Sequence, residues 1–415
     1  MSGATGGDGV RGIVARIARI IAITLTAAVL AGLPAIAAAP SVTFIVRPPA
    51  STPAGEALWV CGDRAEIGAW NGSGLALVRG ADGAWSGRVS LPAGSAIEFK
   101  VTRGDWNRVE KDAHGGEIQN RRWTVTGEDT VRIEVAAWRD AFEKPGAARV
   151  STITGEVRRH PAFPSRFVAP RELLVWLPPG YEAQPKRRYP VIYFLDGQNV
   201  FDGATSFIPG QEWGADEAAD RLVRSGQLPP CILVAIPNSP ARMDEYTWAP
   251  DSGHGGGKAA LHQRFVLEEL KPFIDRTYRT RPEPASTGVV GSSLGGLAAL
   301  DLLLQHPEAV GMAGCVSPAV WWANSEILGR VRAGAGHSGR VWLDIGTAES
   351  TPTATGELPW LDSARALHAA LAARGWRDGE SLHYEEIEGA RHNEAAWRAR
   401  IDRILQFLLK PAAQR

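Results

Sequence analysis

The chain has 415 residues, of which 44% are hydrophobic and 22% are charged, a composition typical of a globular protein rather than of a disordered or collagen-like one. This length exceeds that of one ordinary folding unit and predicts about two. Basic and acidic residues are equal at 45 each, so there is no net charge to hold nucleic acid or an anionic membrane surface.

Residues 1–39 have the pattern of a secretory signal. Basic residues precede an apolar stretch at 20–33 and a small-residue run at 35–39, which correspond to the regions of an export signal and its cleavage site. The apolar stretch is shorter than the roughly 20 residues that span a bilayer, although an uncleaved anchor remains the alternative. We therefore expect a secreted or periplasmic protein with no membrane contact after signal removal.

Only three cysteines are present, and each lies in an apolar, strand-like run: Cys61, Cys231 and Cys315. Such surroundings predict buried free thiols rather than disulfides. Their spacing fits no zinc pattern. We expect neither a metal nor a cofactor.

From residue 41 to residue 137, short β-like runs alternate with turn clusters, as in a sandwich of short antiparallel strands. No run there has the periodicity of a helix. The predicted strands are 42–46, 57–61, 85–91, 96–101, 123–125 and 130–135. A polar stretch with proline and glycine then predicts a linker at 138–150.

From residue 151 to residue 411, strands alternate with helices, and the middle strands are continuously apolar, as expected when helices cover both faces of a parallel sheet. We predict an α/β fold with a doubly wound, mostly parallel sheet. The predicted strands are 151–157, 172–177, 191–195, 232–237, 286–290, 314–317, 341–345 and 382–387, and the helices are 214–225, 259–277, 295–305, 363–373 and 395–409.

A Gly-x-Ser-x-Gly motif runs from Gly291 to Gly295 between a predicted strand and a helix. In α/β-hydrolases this turn lifts the serine hydroxyl above the sheet edge, and the glycines leave room for it. The glycine spacing centres on Ser293 rather than on Ser292, so Ser293 is the predicted nucleophile. A glycine-rich turn with a chance serine is the alternative.

A serine needs a base and an orienting acid, which follow in the order Ser, acid, His in this fold. His392 lies in the loop after the last predicted strand, and Glu349 lies in the loop after the strand before it. Asp344 falls inside a strand, and Asp362 is more simply a helix N-cap. The predicted base and acid are therefore His392 and Glu349.

An oxyanion hole requires two backbone N–H groups. The helix start after the serine supplies that of Leu294, and the loop after strand 191–195 supplies that of Gln198, although that loop alone could be a plain turn. Arg242 and Tyr246 follow another strand end and are either substrate contacts or parts of a local salt-bridged loop.

The catalytic region from 151 to 409 resembles the esterase family that includes enterochelin esterases, feruloyl and acetyl-xylan esterases and the antigen 85 mycolyltransferases. The resemblance implies a Ser293, Glu349 and His392 triad with Gln198 and Leu294 at the oxyanion hole. The stretches that carry it are 196–202, 242–246, 291–296, 346–349 and 392–394.

The front domain resembles a family 20 starch-binding module at 67–71, at 98–100 and at Trp106. By that resemblance Trp70, Lys100 and Trp106 form a surface sugar site. Stacked indoles bury sugar faces. The alternative is that Trp70 packs inside the sandwich.

The ordered triad predicts hydrolysis of a carboxylic ester through an acyl-enzyme, acting on a small-molecule or glycan-linked ester such as a siderophore or carbohydrate ester. Two alternatives remain open: acyl transfer to an alcohol, and a carbohydrate-binding protein with an inactive hydrolase domain. The sequence names neither the ester nor the oligomeric state.

Overall fold

The computed structural model describes residues 40–68, 70–116, 118, 120–142, 149–208, 210–251, 254–334, 336, 339–349 and 359–410. The chain divides into two compact units, Met1–Phe142 and Glu143–Arg415. The predicted signal segment lies outside the described residues.

The first unit contains a seven-stranded sheet in the order β7-β5-β2-β3-β4-β1-β8 and a separate short pair of β6 with β9. Phe44 of β1 and Phe99 of β5 lie far apart in that order, yet their ring centroids are 5.1 Å apart, so the sheet folds over on itself as the predicted sandwich. The strands are β1 (Ser41–Arg47), β2 (Leu58–Gly62), β3 (Leu75–Arg79), β4 (Trp85–Ser90), β5 (Ala96–Thr102), β6 (Glu110–Lys111), β7 (Arg121–Thr124), β8 (Asp129–Glu134) and β9 (Ala137–Trp138).

Several features of this unit differ from the sequence prediction. Strands β3, β6 and β9 were not predicted; β3 has the apolar sequence Leu-Ala-Leu-Val-Arg, although only Leu77 of it is buried. The linker does not begin at 138, because Trp138 pairs with Glu110 and is buried in the sandwich core. The sandwich therefore extends past the predicted boundary at 137.

The second unit contains an eight-stranded sheet in the order β10-β11-β13-β12-β14-β15-β16-β17. The second strand, β11, runs antiparallel to both of its neighbours, and the strands from β13 to β17 are parallel. The strands are β10 (Glu156–Phe163), β11 (Arg171–Leu177), β12 (Val191–Leu195), β13 (Ile232–Ile236), β14 (Thr287–Ser292), β15 (Met312–Val316), β16 (Arg340–Gly346) and β17 (Leu382–Ile387).

Helices cover both faces of this sheet, and each face has its own apolar core. A π-helical segment, Phe265–Leu270, joins α3 to α4. The helices are α1 (Ala215–Arg224), α2 (Arg242–Tyr246), α3 (Ala259–Arg264), α4 (Lys271–Thr277), α5 (Leu294–Gln305), α6 (Trp322–Ala333), α7 (Pro359–Ala373), α8 (Glu394–Arg398) and α9 (Ile401–Leu408).

Two element predictions in this unit are wrong, and two helices were missed. The first strand lies at Glu156–Phe163 rather than at 151–157. The residues before it are not in the sheet, because the backbone N–H groups of Thr152 and Thr154 donate to the carboxylates of Asp202 and Asp216. The predicted helix at 395–409 is two helices, α8 and α9. Helices α2 and α6 were not predicted.

The parallel strands bring their carboxyl ends to one edge of the sheet, where ligands bind in α/β domains. The loops after β12, β14, β16 and β17 carry the four predicted site segments at that edge. The fold therefore gathers residues that lie up to about two hundred positions apart in sequence.

The three cysteines are buried and unpaired, as predicted. Burial raises the pKa of the Cys61 thiol to about 11 and that of Cys231 to about 12, so both are protonated at neutral pH. Within the described ranges, no helix is long and apolar enough to cross a membrane, and no cluster of ligands suited to a metal ion occurs.

Candidate active site

Ser293 occupies the bend between β14 and α5. Its backbone has φ 56° and ψ −123°, a combination that side-chain-bearing residues rarely adopt and that is typical of strained functional turns. Hydrogen bonds hold it on both sides: the Ser293 N–H donates to the Val316 carbonyl at 3.0 Å, and the Ala319 N–H donates to the Ser293 carbonyl at 3.0 Å. This is the geometry that the Gly-x-Ser-x-Gly motif predicts.

The glycines of the motif permit this bend through close backbone contact. A Cβ atom on Gly291 would lie 2.5 Å from the Gly295 carbonyl carbon, and one on Gly296 would lie 3.0 Å from the Gly291 carbonyl oxygen. Any side chain at Gly291 would therefore force the backbone apart. The sequence spacing reflects a packing requirement as much as a conformational one.

Helix α5 begins at Leu294, directly after the serine. The first N–H groups of a helix have no partner within it and point toward the positive end of its dipole. The helix is apolar on nearly all sides and lies buried against the sheet. Its N-terminus is thus fixed beside Ser293, where an oxyanion could form.

His392 and Glu349 meet across the ends of β17 and β16. The distance from His392 Nδ1 to Glu349 Oε2 is 2.8 Å. The imidazole is 23% exposed, whereas the carboxylate side chain is 1% exposed. Because Nδ1 faces the carboxylate, Nε2 is the ring nitrogen left to act on a substrate or a nucleophile.

The other carboxylate oxygen of Glu349 is bound from behind. Oε1 accepts hydrogen bonds from the Ser317 hydroxyl at 2.5 Å and from the Gly346 N–H at 2.8 Å. Burial by itself would raise the pKa of Glu349, but the hydrogen bond and charge of His392, together with these donors, lower it below the ordinary value. Glu349 is therefore ionised at neutral pH.

The loop after β12 is held in a left-handed conformation at Asp196, with φ 55° and ψ 43°. Its N–H donates to the Tyr246 hydroxyl at 3.0 Å, and its carboxylate accepts two hydrogen bonds from Arg242 at 2.7 and 2.8 Å. These contacts fix the turn that presents Gln198. The Gln198 side-chain oxygen accepts from the Asn238 N–H at 3.0 Å.

Arg242 and Tyr246 lie together beside the loop of Gln198. Tyr246 is fully buried, and its ring lies 5.2 Å from the Arg242 guanidinium. The guanidinium pairs with the Asp196 carboxylate, and the Arg242 side chain is 28% exposed. Both residues thus belong to a local salt-bridged cluster, and contact of Arg242 with a substrate stays a prediction.

Sequence reasoning missed several residues that join the site together. Asn199 donates to the buried carboxylate of Glu394 at 3.2 Å, which links the loop of Gln198 to the loop of His392. The Asn393 side chain caps α8 by accepting from the Ala396 N–H at 2.9 Å. An Asn-Glu pair directly after the histidine was the available sequence signal for both contacts.

Tryptophans surround the imidazole. Trp360 and Trp397 each contact the His392 ring at right angles, with centroids 5.0 and 5.1 Å away. Trp321 lies 6.2 Å from Trp360 with nearly parallel rings. Trp321 and Trp360 are only partly buried, so an aromatic surface adjoins the histidine.

In the first unit, the predicted sugar-site tryptophans lie together. The ring centroids of Trp70 and Trp106 are 5.9 Å apart, and the Trp106 indole N–H donates to the Trp70 carbonyl at 3.0 Å. Both are partly exposed, so Trp70 does not pack inside the sandwich. Lys100 differs from the prediction: it is 5% exposed, and its ammonium donates to the Ile118 carbonyl at 2.7 Å, which leaves little of it for a ligand.

Comparison with known proteins assigns both parts of the chain. Residues 165–408, more than half of it, match the family described as "Putative esterase". The chain belongs to this esterase family. It is accordingly a carboxylic ester hydrolase. Residues 39–134 match the starch binding domain, so both resemblances seen in the sequence are confirmed.

Among the curated relatives of this esterase, some match its esterase part and others match its starch-binding part. The ferri-bacillibactin esterase BesA of Bacillus subtilis (strain 168) is 30% identical over 208 residues, which cover 46% of this chain and 64% of BesA. An alpha-amylase of Niallia circulans is 43% identical over 105 residues, 25% of this chain and 8% of the amylase. The chain therefore spans less than two thirds of the length of either relative.

A solved structure shares the fold of the esterase. The enterobactin esterase FES from Shigella flexneri, in the presence of enterobactin, superposes with a TM-score of 0.52 at 19% identity, over 91% of this chain and 95% of FES. At that identity the likeness shows a common fold and carries no statement about substrate.

Proposed function

We propose that this esterase cleaves carboxylic esters through an acyl-enzyme on Ser293, with His392 as general base and Glu349 as the orienting acid. The observation that carries the proposal is the strained backbone of Ser293 at the start of α5, on the sheet edge where the 2.8 Å contact of His392 with Glu349 lies. A strained serine and a carboxylate-bound imidazole on one sheet edge are the parts that acyl transfer requires.

The proposed reaction uses His392 Nε2, the ring nitrogen that does not face Glu349. His392 Nε2 takes the proton as Ser293 Oγ bonds to the ester carbonyl carbon, and the same proton then goes to the departing alkoxide. Water repeats the sequence against the acyl-enzyme and releases the acid. The ionised Glu349 holds Nδ1–H and stabilises the imidazolium that exists between the two proton transfers.

The N–H groups of Leu294 and Gln198 are proposed to bind the oxyanion. The first belongs to the unpaired start of α5, and the second lies on the loop that Asp196 holds in its left-handed turn. Fixed donors of this kind need no reorganisation as charge develops on the carbonyl oxygen. Removing one such donor costs about a hundredfold to a thousandfold in kcat.

For the substrate we propose a small-molecule or glycan-linked ester. BesA is named a ferri-bacillibactin esterase, and a relative from Emericella nidulans is named a siderophore enterobactin esterase. The starch-binding match of the first unit supports a polysaccharide as the second class. The partly exposed Trp360 and Trp321 beside His392 suit either class, because indoles stack on both aromatic rings and sugar faces.

Substitution Ser293→Ala tests the proposal. The variant is expected to fold normally and to lose about ten-thousandfold or more in kcat on a 4-nitrophenyl ester, since the residual rate depends on binding and the oxyanion hole alone. Labelling by a fluorophosphonate should disappear with it.

The adjacent Ser292→Ala is the matched control, because Ser292 is buried in β14. It should keep fluorophosphonate labelling. Turnover by a correctly folded Ser293→Ala enzyme, or labelling that follows Ser292, would refute the assignment of the nucleophile.

A further inference from the structure

Behind Glu349 lies a buried group of charged and polar side chains that the proposed reaction does not use. It consists of Asp344 on β16, Ser317 after β15, and Arg400 between α8 and α9. The side chains of Arg400 and Asp344 are 1% and 0% exposed. We call this group the support cluster.

The hydroxyl of Ser317 has one possible orientation. Its oxygen receives hydrogen bonds from the Trp397 indole N–H at 3.1 Å and from Arg400 Nη1 at 3.0 Å. Both groups are donors only, so the single hydroxyl hydrogen must go to Glu349 Oε1, 2.5 Å away. The Ser317 hydroxyl is thereby a fixed donor to the carboxylate.

Arg400 bridges the two buried carboxylates. Its Nη1 lies 2.6 Å from Asp344 Oδ1, and its Nη2 lies 3.5 Å from Glu349 Oε1. Asp344 is held on its other oxygen by the Trp342 indole N–H at 2.6 Å. Burial raises the pKa of Asp344, while the charge of Arg400 and the hydrogen bonds from Trp342 and Ser317 oppose that rise. With both carboxylates ionised, one guanidinium pairs with two acids, and the cluster with Glu349 carries one net negative charge.

This arrangement does not optimise stability. Within the described part of the chain, Arg400 Nε and Nη2 have no hydrogen-bond partner although both are buried. A buried cation with unsatisfied nitrogens costs free energy of folding, and replacing such clusters by apolar residues is commonly neutral or stabilising. A role in the function of Glu349 explains why the cluster is charged.

We propose that Arg400, Asp344 and Ser317 are positioning residues that fix the rotamer and the charge of Glu349, and that the balance of Arg400 against Asp344 sets the pH at which the histidine becomes active. This inference rests on the proposed function. None of the three residues needs to touch the substrate.

Other charged groups near the histidine stay constant in the test. Glu394, at the start of α8, is buried, which raises its pKa, and its charge and that of His392 act on each other. Asp196 and Arg242, which pair with each other, act on Glu394 in opposite directions: the charge of Asp196 raises the pKa of Glu394, and the charge of Arg242 lowers it. Changes confined to Arg400 and Asp344 therefore report on the support cluster.

Substitutions of the two charged residues should shift the acid limb of the kcat/KM pH profile in opposite directions. Arg400→Met removes a positive charge, which favours proton retention by its neighbours, so the acid limb of kcat/KM should move about one unit to higher pH. Asp344→Asn removes a negative charge and should move the limb about one unit to lower pH. The double variant should return to within a few tenths of a unit of the wild type.

The measurement is kcat/KM for a 4-nitrophenyl ester between pH 5 and 9 on the full-length enzyme. Arg403→Gln is the matched control, since Arg403 lies on the adjoining helix and pairs with Glu385 at the surface; its acid limb should not move. Arg400→Lys, which keeps the charge, should also leave the limb in place.

Shifts that are absent, or that share one sign, would overturn the inference. If Arg400→Met does not fold, Ser317→Ala decides: it should lower kcat at least about tenfold with KM changed less than about twofold, because a positioning hydrogen bond acts in the transition state. Full kcat in Ser317→Ala would equally refute the role. Turnover by Ser293→Ala would instead refute the proposed function, whatever the pH profiles show.

Discussion

At the scale of single residues, Glu349 shows how burial and hydrogen bonding oppose each other. Burial alone favours its protonated form, yet two donors, Ser317 and Gly346, and the facing imidazole keep it charged. A carboxylate in this state can hold the Nδ1–H tautomer of His392 and stabilise the imidazolium. The electrostatic surroundings, not the carboxylate alone, make it a suitable orienting acid.

Glu349→Gln is expected to lower kcat by about a thousandfold or more, because an amide can hold the wrong tautomer and cannot stabilise the imidazolium. Steady-state kinetics at pH 8 measure this. A loss of less than tenfold would assign the orienting role to another acid.

The lowered pKa also predicts a difference in acid stability. Folding lowers the pKa of Glu349, so its contribution is complete above the unfolded value of about 4.3 and is lost as the pH falls through the folded value. Between pH 5 and pH 3, urea unfolding should therefore show the wild type losing more stability than Glu349→Gln. Parallel curves would contradict the shift.

At the scale of elements, the bend from β14 to α5 depends on glycines that let two backbone segments touch. Helix α5 is apolar on nearly all sides and is packed against the sheet, so it cannot move to relieve a new contact. Strain at Ser293 is maintained because the surrounding structure fixes both sides of the bend.

Gly291→Ala should destabilise the protein by about 1–3 kcal/mol, the usual effect of overpacking, and should also lower kcat because the bend shifts. Gly329→Ala is the control, since a Cβ atom there meets nothing within 4 Å in the helical part of α6; it should raise stability by about 0.5–1 kcal/mol. Chemical denaturation compares the two. A neutral Gly291→Ala would show that the bend tolerates a side chain.

At the scale of the whole molecule, each of the two units carries its own set of functional residues. The first offers the Trp70 and Trp106 pair, with the Lys100 ammonium bonded to the Ile118 carbonyl. The second contains Ser293, His392 and Glu349, which we propose as the ester-cleaving residues. Each function should therefore be removable without the other.

Trp70→Ala with Trp106→Ala should weaken adsorption to granular starch at least about tenfold, because tryptophans of this kind commonly contribute 2 kcal/mol or more to binding. Turnover of a soluble ester should stay unchanged. Ser293→Ala should show the reverse pattern, with starch adsorption retained. Equal adsorption by wild type and the double variant would exclude this pair as a sugar site.

The sequence by itself determined the local parts of this protein. Apolar runs, turn residues and the glycine spacing around Ser293 predicted most strands and the bend, because strand and turn propensities depend on near neighbours. The order of Ser293, Glu349 and His392 along the chain is the basis of the proposed triad. Strand β3 was missed although four of its five residues are apolar.

Only the tertiary structure decided which groups meet. Arg242 and Tyr246 bond to Asp196, and Arg400, in the turn between α8 and α9, pairs with Glu349. These contacts join residues from 46 to more than 50 positions apart, and burial and ion pairing across such distances depend on how the sheet orders its strands. Local sequence patterns do not predict the order of strands in the sheet.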